Sequence, residues 1–209
     1  MTDLKLIIFD CDGVMFDSKN ANLHFYNHML TNFGHPSMDD DELEYVHMHH
    51  VMDSVRYIFR HWPEEIDKAH QFRESLDYKD FIKHMTIEPD LVEFLEHITP
   101  NFKTAISTNR TTTMATLLDL FDLRRHYGMV VTAMDVENPK PHPDAINKIL
   151  DHYSLKVEDS IFIGDSIVDL EHAKSVGMTM IGFKNPELQA DYHVNSFMEI
   201  LNLPLFTGM

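Results

Sequence analysis

A chain of 209 residues, 44% of them hydrophobic, fits one medium domain or a core domain carrying an insertion, with enough apolar side chains for a real core. Its formal charge of -17 argues against nucleic acid, whose binding is dominated by basic groups meeting phosphate, and requires that any anionic substrate be held by local cations. No apolar run approaches the ~18 residues of a membrane helix, no basic stretch precedes an apolar one after Met1-Thr2-Asp3-Leu4, and the single cysteine, Cys11, excludes an internal disulfide, so a soluble cytoplasmic protein is expected.

In chain order, Leu6–Phe9 is a continuous apolar run, too short for a helix and suited to a strand buried on both faces. It stops at Asp10-Cys11-Asp12-Gly13. Burying an ionised carboxylate costs several kcal/mol unless a cation or strong donors compensate it. Ligands of parallel α/β sheets bind at the carboxyl ends of strands, so this end reads as a site or as a plain Asp-Gly turn. Alternation points Cys11 away from the two acids, as a small core residue. Residues 20–33 predict an amphipathic helix with Leu23, Tyr26, Leu30 and Phe33 on one stripe, capped by Asp17 or Ser18 and ended by Gly34-His35-Pro36. Ser37 to Glu42 reads as a helix cap with an acidic first turn. Helical pattern covers 53–60, stops at His61-Trp62-Pro63 and resumes over 64–78. No strand pattern appears between Asn20 and Met85, which makes this a helical block set inside something else.

The alternation of a parallel α/β fold follows. Glu88-Pro89 opens a helix to Ile98, and strands are predicted over 102–106, 129–132, 160–163 and 178–181. Helices are predicted over 112–120, 145–152, up to 176 before Gly177, and in a last turn over 196–201. Chemistry-bearing residues gather at one end of these strands: Asp10 and Asp12 after the first, Thr108 after the second, Lys140 beyond the third, Asp165 and Asp169 after the fourth. Four carboxylates, a hydroxyl and a lysine on one edge suit Mg²⁺, which prefers hard oxygens, together with a phosphate neutralised by the metal and Lys140. A nearby cation would also keep Asp10 ionised and nucleophilic.

Four stretches carry a family resemblance: Phe9-Asp10-Cys11-Asp12-Gly13-Val14 with Asp17-Ser18, then Ser107-Thr108-Asn109, Lys140-Pro141-His142-Pro143-Asp144, and Gly164-Asp165-Ser166 with Asp169. In order and spacing they resemble the motifs of the haloacid dehalogenase-like phosphohydrolases, by pattern nearest the phosphoglycolate phosphatase and β-phosphoglucomutase-like branch. The resemblance implies a Rossmann-like parallel sheet core, residues 1–16 and 87–209, with an inserted helical cap, residues 17–86. It implies that Asp10 attacks phosphorus to form an aspartyl-phosphate, and that Asp12 protonates the leaving oxygen and then activates water. It further implies that Thr108 binds the phosphoryl group with help from Asn109 and Lys140. Mg²⁺ would be held by Asp10, the backbone carbonyl of Asp12 and Asp165, with Asp169 acting directly or through water. Dehalogenases of the superfamily lack an acid at the position of Asp12, which favours phosphoryl transfer here.

His47-Met48-His49-His50 lacks the spacing of a zinc hydrolase and reads as a polar cap loop. Because cap loops in the family face the substrate, His47 and His50 are candidate substrate-binding residues. The expected activity is Mg²⁺-dependent hydrolysis of a small phosphate monoester, with phosphoglycolate the named candidate, acting on a small phosphorylated metabolite. The enzymatic alternative is a phosphomutase of the β-phosphoglucomutase type. Those mutases place a histidine where this chain has Asn22, and a lysine and an arginine in the cap loop where it has His47 and Val51, so the fork that grips a second phosphate is missing. The non-enzyme alternative, a receiver-like phospho-accepting domain, has its acceptor aspartate on a middle strand and no helical insertion of this size.

Overall fold

The computed structural model describes residues 4–49 and 51–206 and divides into two compact units, Met1–Phe16 with Ile87–Met209, and Asp17–Thr86. At the two crossings, Phe16–Asp17 and Thr86–Ile87 form a pair of two-residue strands. The first unit is built on six strands, β1 (Leu6–Phe9), β2 (Lys103–Ser107), β3 (Met129–Val131), β4 (Ser160–Gly164), β5 (Thr179–Phe183) and β6 (Tyr192–Val194). All pairings are parallel and the order is β3-β2-β1-β4-β5-β6. This is the doubly wound order of a Rossmann-like sheet, whose direction of winding reverses between β1 and β4.

The central strand is buried along its whole length because helices cover both faces of the sheet. Its alternate residues divide the core. Leu6 and Ile8 share one cluster with Ile146 and Ile149 of α8 (Asp144–Tyr153) and Leu170 and Ala173 of α9 (Ile167–Val176). Phe9 faces the other way, edge-on to Phe94 of α6 (Leu91–Ile98) and to Tyr127, with ring centroids 6.3 and 5.5 Å away. Phe197 of the short α10 (Phe197–Ile200) completes that aromatic cluster against Phe183 at 4.6 Å. Ile8 sits opposite Ala105 on one side and Phe162 on the other, so β1, β2 and β4 end level with one another. That register brings the residues after each strand to one edge. One more helix of this unit, α7 (Met114–Leu120), follows β2.

The second unit is helical: α1 (Lys19–Asn32), α2 (Asp40–Met48), α3 (Val51–Ile58), α4 (Ile66–Ser75) and the single turn α5 (Lys79–Ile82). In α1 the stripe is wider than predicted, since Phe25 and Met29 are buried with Tyr26 and Leu30, while Leu23 and Phe33 lie at its margin. Gly34 ends that helix at φ +78, the left-handed conformation a helix stop favours. Asp39 caps α2 in a reciprocal box with Glu42, its side chain accepting from the Glu42 N–H at 2.8 Å and its own N–H donating back at 3.2 Å.

Several predicted boundaries shift. His47 and Met48 belong to the last turn of α2 rather than to a loop, and α3 begins at Val51, two residues before the predicted start. The stretch read as one helix over 64–78 is a 3-10 turn at Pro63–Glu65 followed by α4, which stops at Ser75, and α5 begins only beyond the predicted end. The sixth strand was not predicted, because Tyr192–Val194 is an edge strand in which only Val194 is buried.

Candidate active site

The site is assembled from the loops that leave the strand ends. Asp10 continues the β1 ladder by one bond, its N–H donating to the Ile163 carbonyl at 2.9 Å, which fixes its carboxylate at the sheet edge with only 7% of the residue exposed. The chain then turns at Gly13, φ +78, where a Cβ would lie 2.0 Å from Asp165 Oδ2. Only glycine lets the loop after β1 take that conformation and lie against the carboxylate following β4. Cys11 is fully buried in the core, as alternation requires.

After β4, Ser166 caps α9 while the Asp169 carboxylate returns the contact. Asp169 Oδ2 accepts from the Ser166 N–H at 3.2 Å and its hydroxyl at 2.6 Å. The other oxygen, Oδ1, accepts from Lys140 Nζ at 2.6 Å, and the same ammonium donates to Asp10 Oδ1 at 2.7 Å. Lys140 therefore bridges the acid after β1 and the acid of α9, and it is 8% exposed. Its carbonyl accepts from Asn109 Nδ2 at 3.0 Å, so Asn109 ties the loop after β2 to the lysine's backbone. Thr108 is buried at the same edge, with Oγ1 accepting from the Arg110 N–H at 3.1 Å and its hydroxyl hydrogen left to donate.

Three further residues were missed by the sequence reading. Arg110 grips Asp12 with a two-pronged fork, Nε to Oδ2 at 3.1 Å and Nη2 to Oδ1. Asn185 donates to the Asp165 carbonyl at 2.8 Å. His172 of α9 lies fully buried beneath β2 with Nε2 3.0 Å from Ser107 Oγ. Of these only Arg110 left a signal: it follows Ser107-Thr108-Asn109 directly, and so acidic a chain needs local cations at an anion site. His47 is exposed in the second unit, and His50 lies outside the described residues.

Burial, with the charge of Lys140 opposing it, raises the pKa of Asp10 above the carboxylate range. Burial, reinforced by the charge of Asp169, raises Asp165 to about 7. Burial also works against the Lys140 charge, but Asp10 and Asp169 outweigh it and raise that ammonium further. Burial would raise Asp169 too, yet Lys140 and Ser166 hold it below its usual value. His172 is pushed down to about 4 by burial and by Lys140, so it is neutral. Asp10 and Asp165 are thus short of positive charge. One oxygen from each of Asp10, Asp165 and Asp169 lies within 4.8 Å of the others, a spacing at which such carboxylates could hold a metal ion. Both Asp169 oxygens are already engaged by Lys140 and Ser166, which leaves Asp10 and Asp165 as the carboxylates that fit a small divalent cation.

A parallel sheet with carboxylates and a lysine at its switch point is an α/β architecture of the kind whose ligands bind at the strand ends. More particularly, residues 7–183 match the sequence model of the haloacid dehalogenase-like hydrolases, and the chain belongs to that family. It is similar along 98% of its length to the crystal structure of a haloacid dehalogenase-superfamily hydrolase, subfamily IA, variant 1, from Geobacter sulfurreducens, covering 97% of that chain at 32% identity and a TM-score of 0.90. It is 23% identical to the provisionally named pyrophosphatase PpaX of Caldanaerobacter subterraneus over 96% of this chain and 94% of that protein. A shorter match, 33% identical, joins 36% of the chain to 30% of the phosphoglycolate phosphatase of Escherichia coli K12.

Proposed function

We propose that the protein is a Mg²⁺-dependent phosphatase that hydrolyses a small phosphate monoester through an aspartyl-phosphate. The observation that carries this reading is Asp10, buried at the end of the central strand, held through Oδ1 by Lys140, with a second carboxylate two residues on. Asp10 attacks phosphorus, the bond from phosphorus to the leaving oxygen breaks, and the proton of Asp12 passes to that oxygen. Asp12, now a carboxylate, takes a proton from water. The water oxygen attacks phosphorus, the bond to Asp10 breaks, and inorganic phosphate leaves with both aspartates restored. Thr108 and Lys140 bind the phosphoryl oxygens, with donors fixed before the charge develops. A Mg²⁺ held by Asp10, Asp165 and the Asp12 carbonyl would supply positive charge to the phosphate and keep Asp10 ionised.

Phosphoglycolate is the named candidate substrate, supported by motif pattern and by the names of relatives. The mutase alternative lacks support in the second unit, where Val51 packs against the helical core and Asn22 accepts from the Tyr78 hydroxyl at 3.2 Å. The test is phosphate release from a panel of monoesters with Mg²⁺ and with chelator. Multiple-turnover release that stops with chelator is expected. Conversion of β-glucose 1-phosphate to glucose 6-phosphate, primed by bisphosphate and with little phosphate freed, would reject hydrolysis.

Metal binding should depend on pH. With Asp10 and Asp165 raised, the folded protein holds protons that the unfolded chain releases above its ordinary carboxylate value of 3.8, so this contribution to stability falls as pH climbs toward about 7. Mg²⁺ must displace those protons, so it should raise Tm more at about pH 8 than at about pH 5.5, with protons released on binding. Equal thermal shifts at both values would contradict the assignment of these two ligands.

A further inference from the structure

His172 is a buried polar side chain for which the catalytic reading has no use. It lies in α9 three residues beyond Asp169, a spacing that puts both side chains on one face of the helix, and neither is exposed. Its Nε2 is 3.0 Å from the hydroxyl of Ser107, the residue that ends β2 and immediately precedes Thr108. Phe162 meets the imidazole edge-on, with ring centroids 5.5 Å apart. The backbone of Pro141 and His142, just past Lys140, also approaches the imidazole, yet Nδ1 has no hydrogen-bond partner among the described residues. Burial and the charge of Lys140 keep the imidazole neutral, so it adds no second cation beside that lysine.

The two donors read above as binding the phosphoryl oxygens take their places from different elements. Thr108 is held by the sheet, its N–H donating to the Val131 carbonyl at 3.0 Å. Lys140 is held by α9, its Nζ donating to Asp169 Oδ1 at 2.6 Å. Their spacing therefore depends on where α9 sits along the end of β2. Apolar packing of Leu170 and Ala173 keeps the helix on the sheet, but such packing has no direction and fixes no register. A hydrogen bond does, because it needs both a set distance and a set angle. We propose that His172 is a positioning residue, whose bond to Ser107 fixes α9 against β2 and so sets the distance between the Thr108 hydroxyl and the Lys140 ammonium. Misplacing a reacting or binding group by about 1 Å can cost ~10²-fold in rate even when the altered residue is remote from the chemistry. This inference rests on the phosphatase reading.

The test measures, with Mg²⁺ present, the affinity for orthovanadate, whose five-coordinate adduct copies the transition state, against that for inorganic phosphate. The ratio is taken within one preparation, so loss of folded protein cancels. Ser107→Ala and His172→Phe remove the bond from either end. Each is expected to lower the ratio of vanadate to phosphate affinity by ~10-fold, with kcat falling alongside. KM should change by less than about 2-fold, as when an interaction of the transition state alone is lost. The double variant should lose no more than the worse single one, since the same bond is missing in all three. His172→Gln, whose amide can reach the same hydroxyl, should recover most of the ratio. A lower Tm with an unchanged ratio would make His172 a core residue only and overturns the proposal. Losses that add in the double variant, no recovery in His172→Gln, or no preference for vanadate in the unaltered protein also overturn it. Ser107→Ala removes a single oxygen and leaves the apolar packing in place, so it decides the matter if His172→Phe does not fold. Failure of the phosphatase reading is a separate result: the unaltered protein then releases no phosphate from any monoester in the panel, which removes this inference with it. Normal turnover in the unaltered protein with unchanged ratios in the variants rejects this inference alone.

Discussion

Asp10→Asn is expected to lose phosphate release by roughly 10⁴-fold or more, the range seen when a covalent nucleophile is removed. The amide keeps the shape and one acceptor for Lys140 Nζ, now 2.7 Å from Oδ1, so the variant should fold. Its stability should not suffer at neutral pH. Burial raises the pKa of Asp10, so the ionised form is disfavoured in the fold above the ordinary carboxylate value. A neutral side chain removes that penalty, and the variant's Tm at about pH 8 should equal or exceed that of the unaltered protein. Loss of turnover with a retained Tm separates chemistry from folding. The direct readout is mass analysis after acid quench, in which a phosphoryl adduct on the Asp10 peptide should be present in the unaltered protein and missing in the variant. Undiminished turnover would reject the covalent mechanism.

What the sequence revealed about this site follows from where the information lies. Asp10, Thr108 and Asp165 each end a short apolar run, and buried strands advertise themselves by composition while their carboxyl ends follow by position. Lys140 was legible through its prolines. The contacts that these residues make were not. Arg110 and Asp12 are 98 residues apart, and nothing local to either tells that they meet. Asn185 reaches Asp165 across 20 residues from a loop with no motif of its own. His172 shows only as one more histidine among fifteen, on a helix face that gives no sign of Ser107 behind it. In the second unit, 3-10 geometry at Pro63–Glu65 broke a pattern that periodicity alone continues. Tyr192–Val194 escaped for the opposite reason, since an edge strand buries too little to leave a run.

Lys140→Met should lose turnover by ~10² or more, the scale of one preorganised electrostatic contact. Between Pro139 and Pro141 the backbone dihedrals are restricted, and Asn109 holds the lysine's carbonyl at 3.0 Å, so the ammonium is delivered to one place. There it lies between Asp10 at 2.7 Å and Asp169 at 2.6 Å, both buried. Methionine matches the volume and removes the charge, leaving two buried carboxylates facing each other with no cation between them. Breaking a buried pair by deleting one partner costs roughly 3–5 kcal/mol, so Tm should fall together with kcat. The two acids would relieve part of that cost by taking up a proton, which disarms the nucleophile for a second reason. Lys140→Arg divides the two effects. It restores a positive charge to the acids and should recover much of the Tm, but a planar fork does not fill the place of a point ammonium, so kcat should stay low. Near-normal kinetics in Lys140→Met would mean that the lysine is a solvated loop charge in the working enzyme, and that Asp10 is kept ionised by other means.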